Sequence, residues 1–198
     1  NLRLTRDNLK VSYGSLSEYD TDVTQRYDGL PNSSVNGFSS YDIANAYYSG
    51  NVAYGAYYSW YAATAGTGTK NLSGGEATSS VCPKNWRLPT ETEYTAIAAK
   101  NNAWGTKTVN GARYSGKFID GDIETGIFWP AAGYVSNGTV YNSGSTSSPR
   151  GRYWSSTSSQ HLSNYAFYLY FSETSLFVPS SNSSDYKYEG YFVRCVAR

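Results

Sequence analysis

Apolar and polar positions alternate in the last third of the chain, a pattern that is typical of β-strands. The clearest example is the segment 166–171. One set of alternate residues is predicted to face the core: Phe167, Leu169 and Phe171. The other set is predicted to face solvent: Ala166, Tyr168 and Tyr170.

Further strand and turn signals surround this segment. Residues 127–129, 132–135 and 190–196 are predicted strands because they are rich in aromatic and branched side chains. Asn137-Gly138 lies between two apolar segments, and this dipeptide is a strong signal for a two-residue hairpin turn. The second half of the chain is therefore predicted to be mostly β-structure.

Two helices are predicted before this sheet. Thr90 precedes a helical pattern and Glu93 follows it three residues later, as a capping box requires. The inward stripe of that helix consists of Tyr94, Ile97 and Ala98. Residues 56–65 are predicted to form a shorter helix with aromatic anchors. The predicted fold class is α+β, with two helices before a twisted sheet decorated by loops.

Composition adds a chemical character to this outline. The chain has 198 residues, so we expect a single domain spanning 1–198. Only 16% of the residues are charged, whereas tyrosine occurs 21 times among many serines, glycines and asparagines. Tyrosine supplies rigid contact area and the small polar residues supply adaptable hydrogen bonds, which is the chemistry of a binding surface.

Charge and hydropathy exclude two classes of partner. The net charge is +1 and the basic residues are not clustered, so no nucleic-acid partner is expected. No apolar stretch reaches the roughly 20 residues of a membrane span. The opening residues 1–4 are typical of the middle of a domain, so we expect a leader to be absent from this chain.

Candidate catalytic and metal-binding residues are few. His161 is the only histidine and lies in a serine-rich segment, so no catalytic residue is predicted. Asp120, Asp122 and Glu124 alternate around a glycine, as Ca²⁺ ligands do, but a solvated turn is the preferred interpretation. We therefore predict neither a metal nor a cofactor.

The two cysteines leave two possibilities open. Cys82 and Cys195 form an even pair in a charge-poor chain, which favours a disulfide and an oxidising compartment. Two buried free thiols are the alternative.

The tail from Arg152 to Phe192 is unusually rich in aromatic residues interleaved with serine and asparagine. Strand alternation buries about half of such a set, and exposed aromatic side chains mark a binding surface. An unusually aromatic core is the alternative interpretation.

Several motifs in order carry a resemblance to a known family. Cys82-Pro-Lys-Asn-Trp-Arg-Leu-Pro-Thr90, followed by Glu93, resembles the CPxGWRLPTxxEW signature of the Fibrobacter succinogenes major paralogous domain (FISUMP) proteins. Four other segments are similar to motifs of that family: Tyr54-Gly-Ala-Tyr-Tyr-Ser-Trp60, Pro130-Ala-Ala-Gly-Tyr134, Tyr153-Trp-Ser-Ser-Thr157 and Gly190-Tyr-Phe-Val-Arg-Cys-Val196.

The resemblance implies a fold and a use for the tail. The fold is C-type lectin-like, as in formylglycine-generating enzymes, with a mostly antiparallel sheet and long loops. The same scaffold displays the variable region of proteins diversified by retroelements, here at about 150–193. The residues implied to vary and to bind ligand are Arg152, His161, Leu162, Tyr165, Tyr168, Tyr170, Phe177, Asp185, Tyr186, Tyr188 and Phe192.

The cysteines also acquire an implied role. Both lie at structural positions of the family, which implies a Cys82–Cys195 disulfide. The Ca²⁺-dependent sugar site of true C-type lectins is not recognisable, and the redox-active cysteine pair of the formylglycine-generating enzymes is missing.

Three functions follow from these observations. The first is a hypervariable, non-enzymatic, receptor- or adhesin-like protein that binds an unknown protein ligand, such as one on another cell surface. The second is an invariant cell-envelope domain of the same family with a structural or adhesive role. The third is a divergent oxidase. A near-copy of the tail-coding DNA downstream, differing only at adenines, separates the first from the second. We expect an extracellular or cell-surface location.

Overall fold

The structure analysed is a computed structural model that describes residues 47–52, 55–65, 67–68, 73–83, 85–109, 112–136, 139–141, 147–179 and 184–198. Within these residues the protein is mostly β-sheet with two short helices. The predicted turn residues Asn137 and Gly138 lie outside the described residues.

The elements follow one another with short connections. The helices are α1 (Trp60–Ala63) and α2 (Glu91–Ala98). The strands are β1 (Tyr47–Val52), β2 (Gly55–Tyr58), β3 (Trp86–Arg87), β4 (Asn102–Val109), β5 (Ala112–Ile119), β6 (Ile127–Pro130), β7 (Tyr134–Ser136), β8 (Thr139–Tyr141), β9 (Gly151–Ser158), β10 (Tyr165–Phe171), β11 (Leu176–Phe177), β12 (Asp185–Tyr186) and β13 (Val196–Ala197).

The predicted capping box starts α2. The Thr90 hydroxyl accepts a hydrogen bond from the Glu93 amide at 3.2 Å, and the Glu93 carboxylate accepts one from the Thr90 amide at 2.8 Å. Tyr94 and Ile97 are buried on the inward face and Ala98 is partly buried, as predicted. Helix α2 therefore packs by the stripe that its sequence encodes.

The predicted helix over 56–65 is shorter than expected. Its first part is strand β2, and α1 begins after Ser59, whose hydroxyl accepts from the Ala62 amide. Tyr58 and Tyr191 exchange two backbone hydrogen bonds of 2.8 and 2.9 Å, so pairing with a distant segment holds residues 55–58 extended. Tertiary pairing overrides local helix propensity here.

Two larger sheets organise the described residues. The strand order of one is β11–β10–β12, with β9 also paired to β10, and the order of the other is β4–β5–β6. Pairs β1–β2, β7–β8 and β3–β13 complete the sheets. The β7–β8 pair joins Ser136 to Thr139, which confirms the predicted two-residue hairpin connection.

Strand β10 is buried on both faces, which corrects part of the prediction. Phe167, Leu169 and Phe171 are buried as predicted. The other face was predicted to be wet, but Ala166 is fully buried and Tyr168 is only 7% exposed. The reason is tertiary packing: one face lies in a core with α2, and the other lies in a second core that includes Trp154 and Tyr191.

The predicted final strand over 190–196 is mostly a series of single bridges. Gly190 bridges Val135, Tyr191 bridges Tyr58 and Phe192 bridges Tyr153. A regular strand, β13, forms only at Val196–Ala197. This segment therefore ties three separate parts of the fold together.

A disulfide joins the middle of the chain to its end. Cys82 and Cys195 are bonded, with their Cα atoms 5.8 Å apart and 113 residues between them in sequence. The bond lies next to the β3–β13 pair, which joins Val196 to Arg87. Chain-entropy models assign roughly 4–5 kcal/mol of stabilisation to a loop of this length.

None of the helices in the part of the chain that the structure describes is long and apolar enough to cross a membrane.

Leucine truncation tests the division between core and surface. Leu169 is fully buried, so Leu169→Ala is expected to lower the free energy of unfolding by about 2–5 kcal/mol. Leu162 is 41% exposed, so the matched change Leu162→Ala is expected to cost no more than about 0.5 kcal/mol. Urea unfolding of both variants checks this, and equal losses would contradict the assignment.

Candidate functional site

Arg152 lies at the centre of a group of aromatic rings. Strand register places Arg152 opposite Tyr170 and Trp154 opposite Tyr168, so these four side chains share one face of the β9–β10 pair. The Arg152 guanidinium carbon is 3.8 Å from the centre of the Tyr134 ring. It is also 5.4 Å from the Tyr168 ring centre and 5.3 Å from that of Tyr191. Cation–π attraction therefore holds this cation in place.

Hydrogen bonds complete what we call the Arg152 cluster, formed by Arg152, Asp185, Tyr134, Tyr168 and Tyr191. Arg152 donates to the Asp185 carboxylate at 2.7 Å and to the Tyr191 hydroxyl at 2.6 Å. The Tyr191 hydroxyl in turn donates to Asp185. Each polar group of this triad thus has a partner, which compensates for its removal from water.

Charge and burial shift the pKa values in the cluster. Burial alone lowers the pKa of Arg152, but Tyr191, Tyr168 and Asp185 outweigh burial and raise it above its usual value. Burial is also the main reason that the pKa of Tyr168 rises to about 12, with Asp185 contributing and Arg152 opposing. The guanidinium is therefore a permanent cation and the phenol stays neutral near pH 7.

Glu189 is a buried carboxyl group beside this cluster. The Gly190–Val135 bridge brings it next to β7, where the Ser136 hydroxyl donates to its Oε1 at 2.9 Å. Its other oxygen, Oε2, has no hydrogen-bond partner among the described residues. Burial, with a contribution from Asp185, raises the pKa of Glu189 to about 7. Such a shifted carboxyl group marks this region as a candidate functional site.

Lys187 is a buried amine on the same connection. Its Nζ donates to the Ser163 carbonyl at 2.6 Å and lies 4.5 Å from the Trp60 ring centre. Burial lowers the pKa of Lys187 to about 7. These contacts anchor the segment before Glu189 to α1, so its role in the fold is positional.

Exposed aromatic side chains flank the Arg152 cluster. We call Tyr134, Tyr141, Tyr170 and Phe177 the aromatic strip. Tyr134 and Tyr141 stack with ring centres 5.5 Å apart, and Tyr170 and Phe177 lie 4.9 Å apart. The outermost rings are the most open: Tyr141 is 42% and Phe177 46% exposed. Arg152 links the two pairs, because it contacts Tyr134 and pairs across the strands with Tyr170.

A second aromatic group continues from Asp185. Tyr165 pairs across the strands with Tyr186, and their ring centres are 4.3 Å apart. Tyr186 stacks on Tyr188 at 4.9 Å. All three side chains are partly exposed, so they present ring faces and hydroxyls to solvent.

The structure divides the predicted variable residues into three classes. The exposed residues are His161, Leu162 and Phe177, and the partly exposed residues are Arg152, Tyr165, Tyr170, Asp185, Tyr186 and Tyr188. Tyr168 and Phe192 are buried. The expectation that these two face outward is therefore wrong.

The burial of Phe192 has a clear physical reason. Its amide donates to the Arg152 carbonyl, and its own carbonyl accepts from the Trp154 amide, both at 3.0 Å. These bonds place its ring 4.6 Å from Tyr57 and 5.7 Å from Tyr153. A segment that bonds along β9 cannot present this side chain to solvent.

Sequence reasoning missed Tyr134, Tyr141, Tyr191 and Glu189 as site residues. For the first two a signal exists. A two-residue turn at 137–138 requires Tyr134 to pair with Tyr141, which is the register observed. For Tyr191 and Glu189 the signal is absent, because long-range contacts bring both to the cluster.

The acidic loop forms a turn. The Asp122 carboxylate accepts hydrogen bonds at 2.9 Å from the amides of Glu124 and Thr125, which lower the pKa of Asp122. Asp120 forms an ion pair with Lys100. The described residues contain no group of three or more histidine, cysteine, aspartate or glutamate side chains that could hold a metal ion.

Comparison with protein families gives one match. The model of the Fibrobacter succinogenes major domain matches residues 6–197. Neither curated proteins nor solved structures gave a match to this chain.

The raised pKa of Glu189 predicts a pH dependence of stability. The folded-state pKa of about 7 exceeds the ordinary 4.5, so the folded state holds the proton more tightly. The resulting stabilisation is full below about pH 4.5 and is lost as the pH rises through about 7. Glu189→Gln is expected to flatten this decline, because an amide does not ionise.

Unfolding in urea at a series of pH values checks this, with Glu124→Gln in the exposed turn as the matched control. Lys187 acts in a different window, because its lowered pKa makes stability rise above about pH 7. An unchanged slope below pH 7 in Glu189→Gln would refute the prediction.

Proposed function

The chain belongs to the Fibrobacter succinogenes major domain family, and from this premise we propose that it is a ligand-binding domain that recognises a protein through the aromatic strip. The observation that carries the proposal is the pair of exposed ring stacks, Tyr134–Tyr141 and Tyr170–Phe177, on either side of Arg152. Exposed aromatic clusters of this kind supply most of the binding energy in protein interfaces.

The Arg152 cluster supports this proposal by holding the strip rigid. Arg152 has partners in Asp185, Tyr191 and Tyr134, so its side chain is ordered before any ligand arrives. An ordered surface loses less conformational entropy on association, and tyrosine and phenylalanine have few rotatable bonds to immobilise. The buried β9–β10 pair beneath supplies the scaffold.

The scaffold in this proposal is C-type lectin-like. Two features support it: the two helices precede the β9–β10 sheet, and a disulfide joins the segment before α2 to the region of the last strand. The disulfide also supports an extracellular or cell-surface location, since such bonds persist in oxidising compartments.

Binding is proposed rather than catalysis. The divergent-oxidase hypothesis needs a reactive cysteine, but the two cysteines of the chain are bonded to each other. His161 lies in the exposed connection between β9 and β10.

Diversification by a retroelement is a finer proposal for the same surface. The support is that nine of the eleven implied variable residues are at least partly exposed, three of them fully. Tyr168 and Phe192 lie in the core, so variation at these two positions would alter packing. Under the invariant-domain hypothesis, the same surface binds one ligand, and the downstream DNA distinguishes the two.

Substitution of the open rings tests the proposed function. A display library of cell-surface proteins is screened for ligands of the parent domain. The double variant Tyr141→Ser, Phe177→Ser is expected to weaken binding by about 2 kcal/mol or more, because interface aromatics are often hot spots. Its unfolding temperature is expected to stay near that of the parent, because both side chains are open.

Ile123→Ser is the control, because Ile123 is 59% exposed in the connection between β5 and β6. Full binding by the double variant, or loss of binding in Ile123→Ser alone, would show that recognition uses another surface.

A further inference from the structure

A second site lies away from the aromatic strip. A cavity of about 250 Å³ lies between the segment 76–80, strand β3 and the start of α2. At about 30 Å³ for each water molecule in the liquid, this volume equals roughly eight waters, so it suits a small molecule. Its walls include the hydroxyl residues Thr78, Ser79 and Ser80.

One wall carries the Glu76 carboxylate. Glu76 bridges Thr157 in the backbone, and its side chain accepts hydrogen bonds from the hydroxyls of Thr157, at 2.6 Å, and Ser156. Thr157 is itself fixed, because its hydroxyl accepts from the Glu91 amide at 2.8 Å. No ion pair to Glu76 is recorded among the described residues. The carboxylate is thus positioned by neutral donors and keeps its negative charge available.

Another wall carries the Arg87 guanidinium. Its Nη1 donates to the Leu88 carbonyl at 3.1 Å and to the Glu93 carboxylate at 2.6 Å, and its Nη2 donates to Glu93 at 2.6 Å. A guanidinium has five N–H donors, so two remain without an acceptor among the described residues. Glu93 holds the group in a fixed orientation beside the cavity.

Opposite charges across this cavity define the complementary ligand. Glu76 and Arg87 do not contact each other, although Glu76 contributes to raising the pKa of Arg87 and also that of Glu91. A ligand ammonium group satisfies the carboxylate, and a ligand carboxylate accepts the remaining guanidinium donors. We propose that this cavity binds a free α-amino acid with a small side chain, held between Glu76 and Arg87.

Titration of the full chain with glycine and alanine tests this proposal. Both are expected to raise the unfolding temperature in a saturable way, since a ligand of the folded state stabilises it. Acetate and methylammonium each carry only one of the two charges, so calorimetry is expected to show binding weaker by about tenfold or more. Glucose, a neutral polyol of similar polarity, is expected not to bind.

Two variants localise the site. Glu76→Gln is expected to weaken glycine binding by about tenfold or more, whereas Glu124→Gln in the exposed β5–β6 turn is expected to leave it unchanged. Thr78→Trp places a large side chain in the cavity from an exposed position and is expected to abolish binding. It keeps the test valid if Glu76→Gln fails to fold.

Three results would overturn the proposal: no shift with glycine or alanine, glucose binding as tight as glycine binding, or unchanged glycine binding in Thr78→Trp.

Discussion

Burial of both faces of the β9–β10 pair is the constraint on which the rest of the structure depends. One face packs Leu169 and Phe171 into a core with α2, and the other packs Trp154 and Tyr168 against a core that includes Tyr191. A sheet covered on both sides has no wet face to spare. Recognition must therefore use the margins of this sheet, where Tyr170 meets Phe177 and Arg152 meets Tyr134.

The same constraint explains the unusual charges near the site. A cation at the margin of an aromatic core is costly unless it is paired, and Arg152 is paired with Asp185, Tyr191 and the Tyr134 ring. The connection that carries Asp185 also carries Lys187 and Glu189, whose buried positions move both pKa values to about 7. Packing of this last segment thus orders the binding surface and makes stability sensitive to pH.

Local signals predicted the features that depend on neighbouring residues. The Thr90–Glu93 capping box, the Leu169 face of β10 and the hairpin around 137–138 belong to this class. The core positions of Tyr168 and Phe192 could not be predicted from alternation, because contacts from distant segments bury them. Long-range contacts also form the Arg152–Asp185–Tyr191 triad, for which single-sequence periodicity holds no signal.

The central claim is that the aromatic residues of the tail divide into a core set and a display set. Hydroxyl-radical footprinting with mass spectrometry tests it most directly, because oxidation rates follow solvent exposure. The account predicts fast oxidation of Tyr141 and Phe177, and protection of the matched buried residues Tyr168 and Phe192. Oxidation of Tyr168 and Phe192 at the rates of Tyr141 and Phe177 would contradict it.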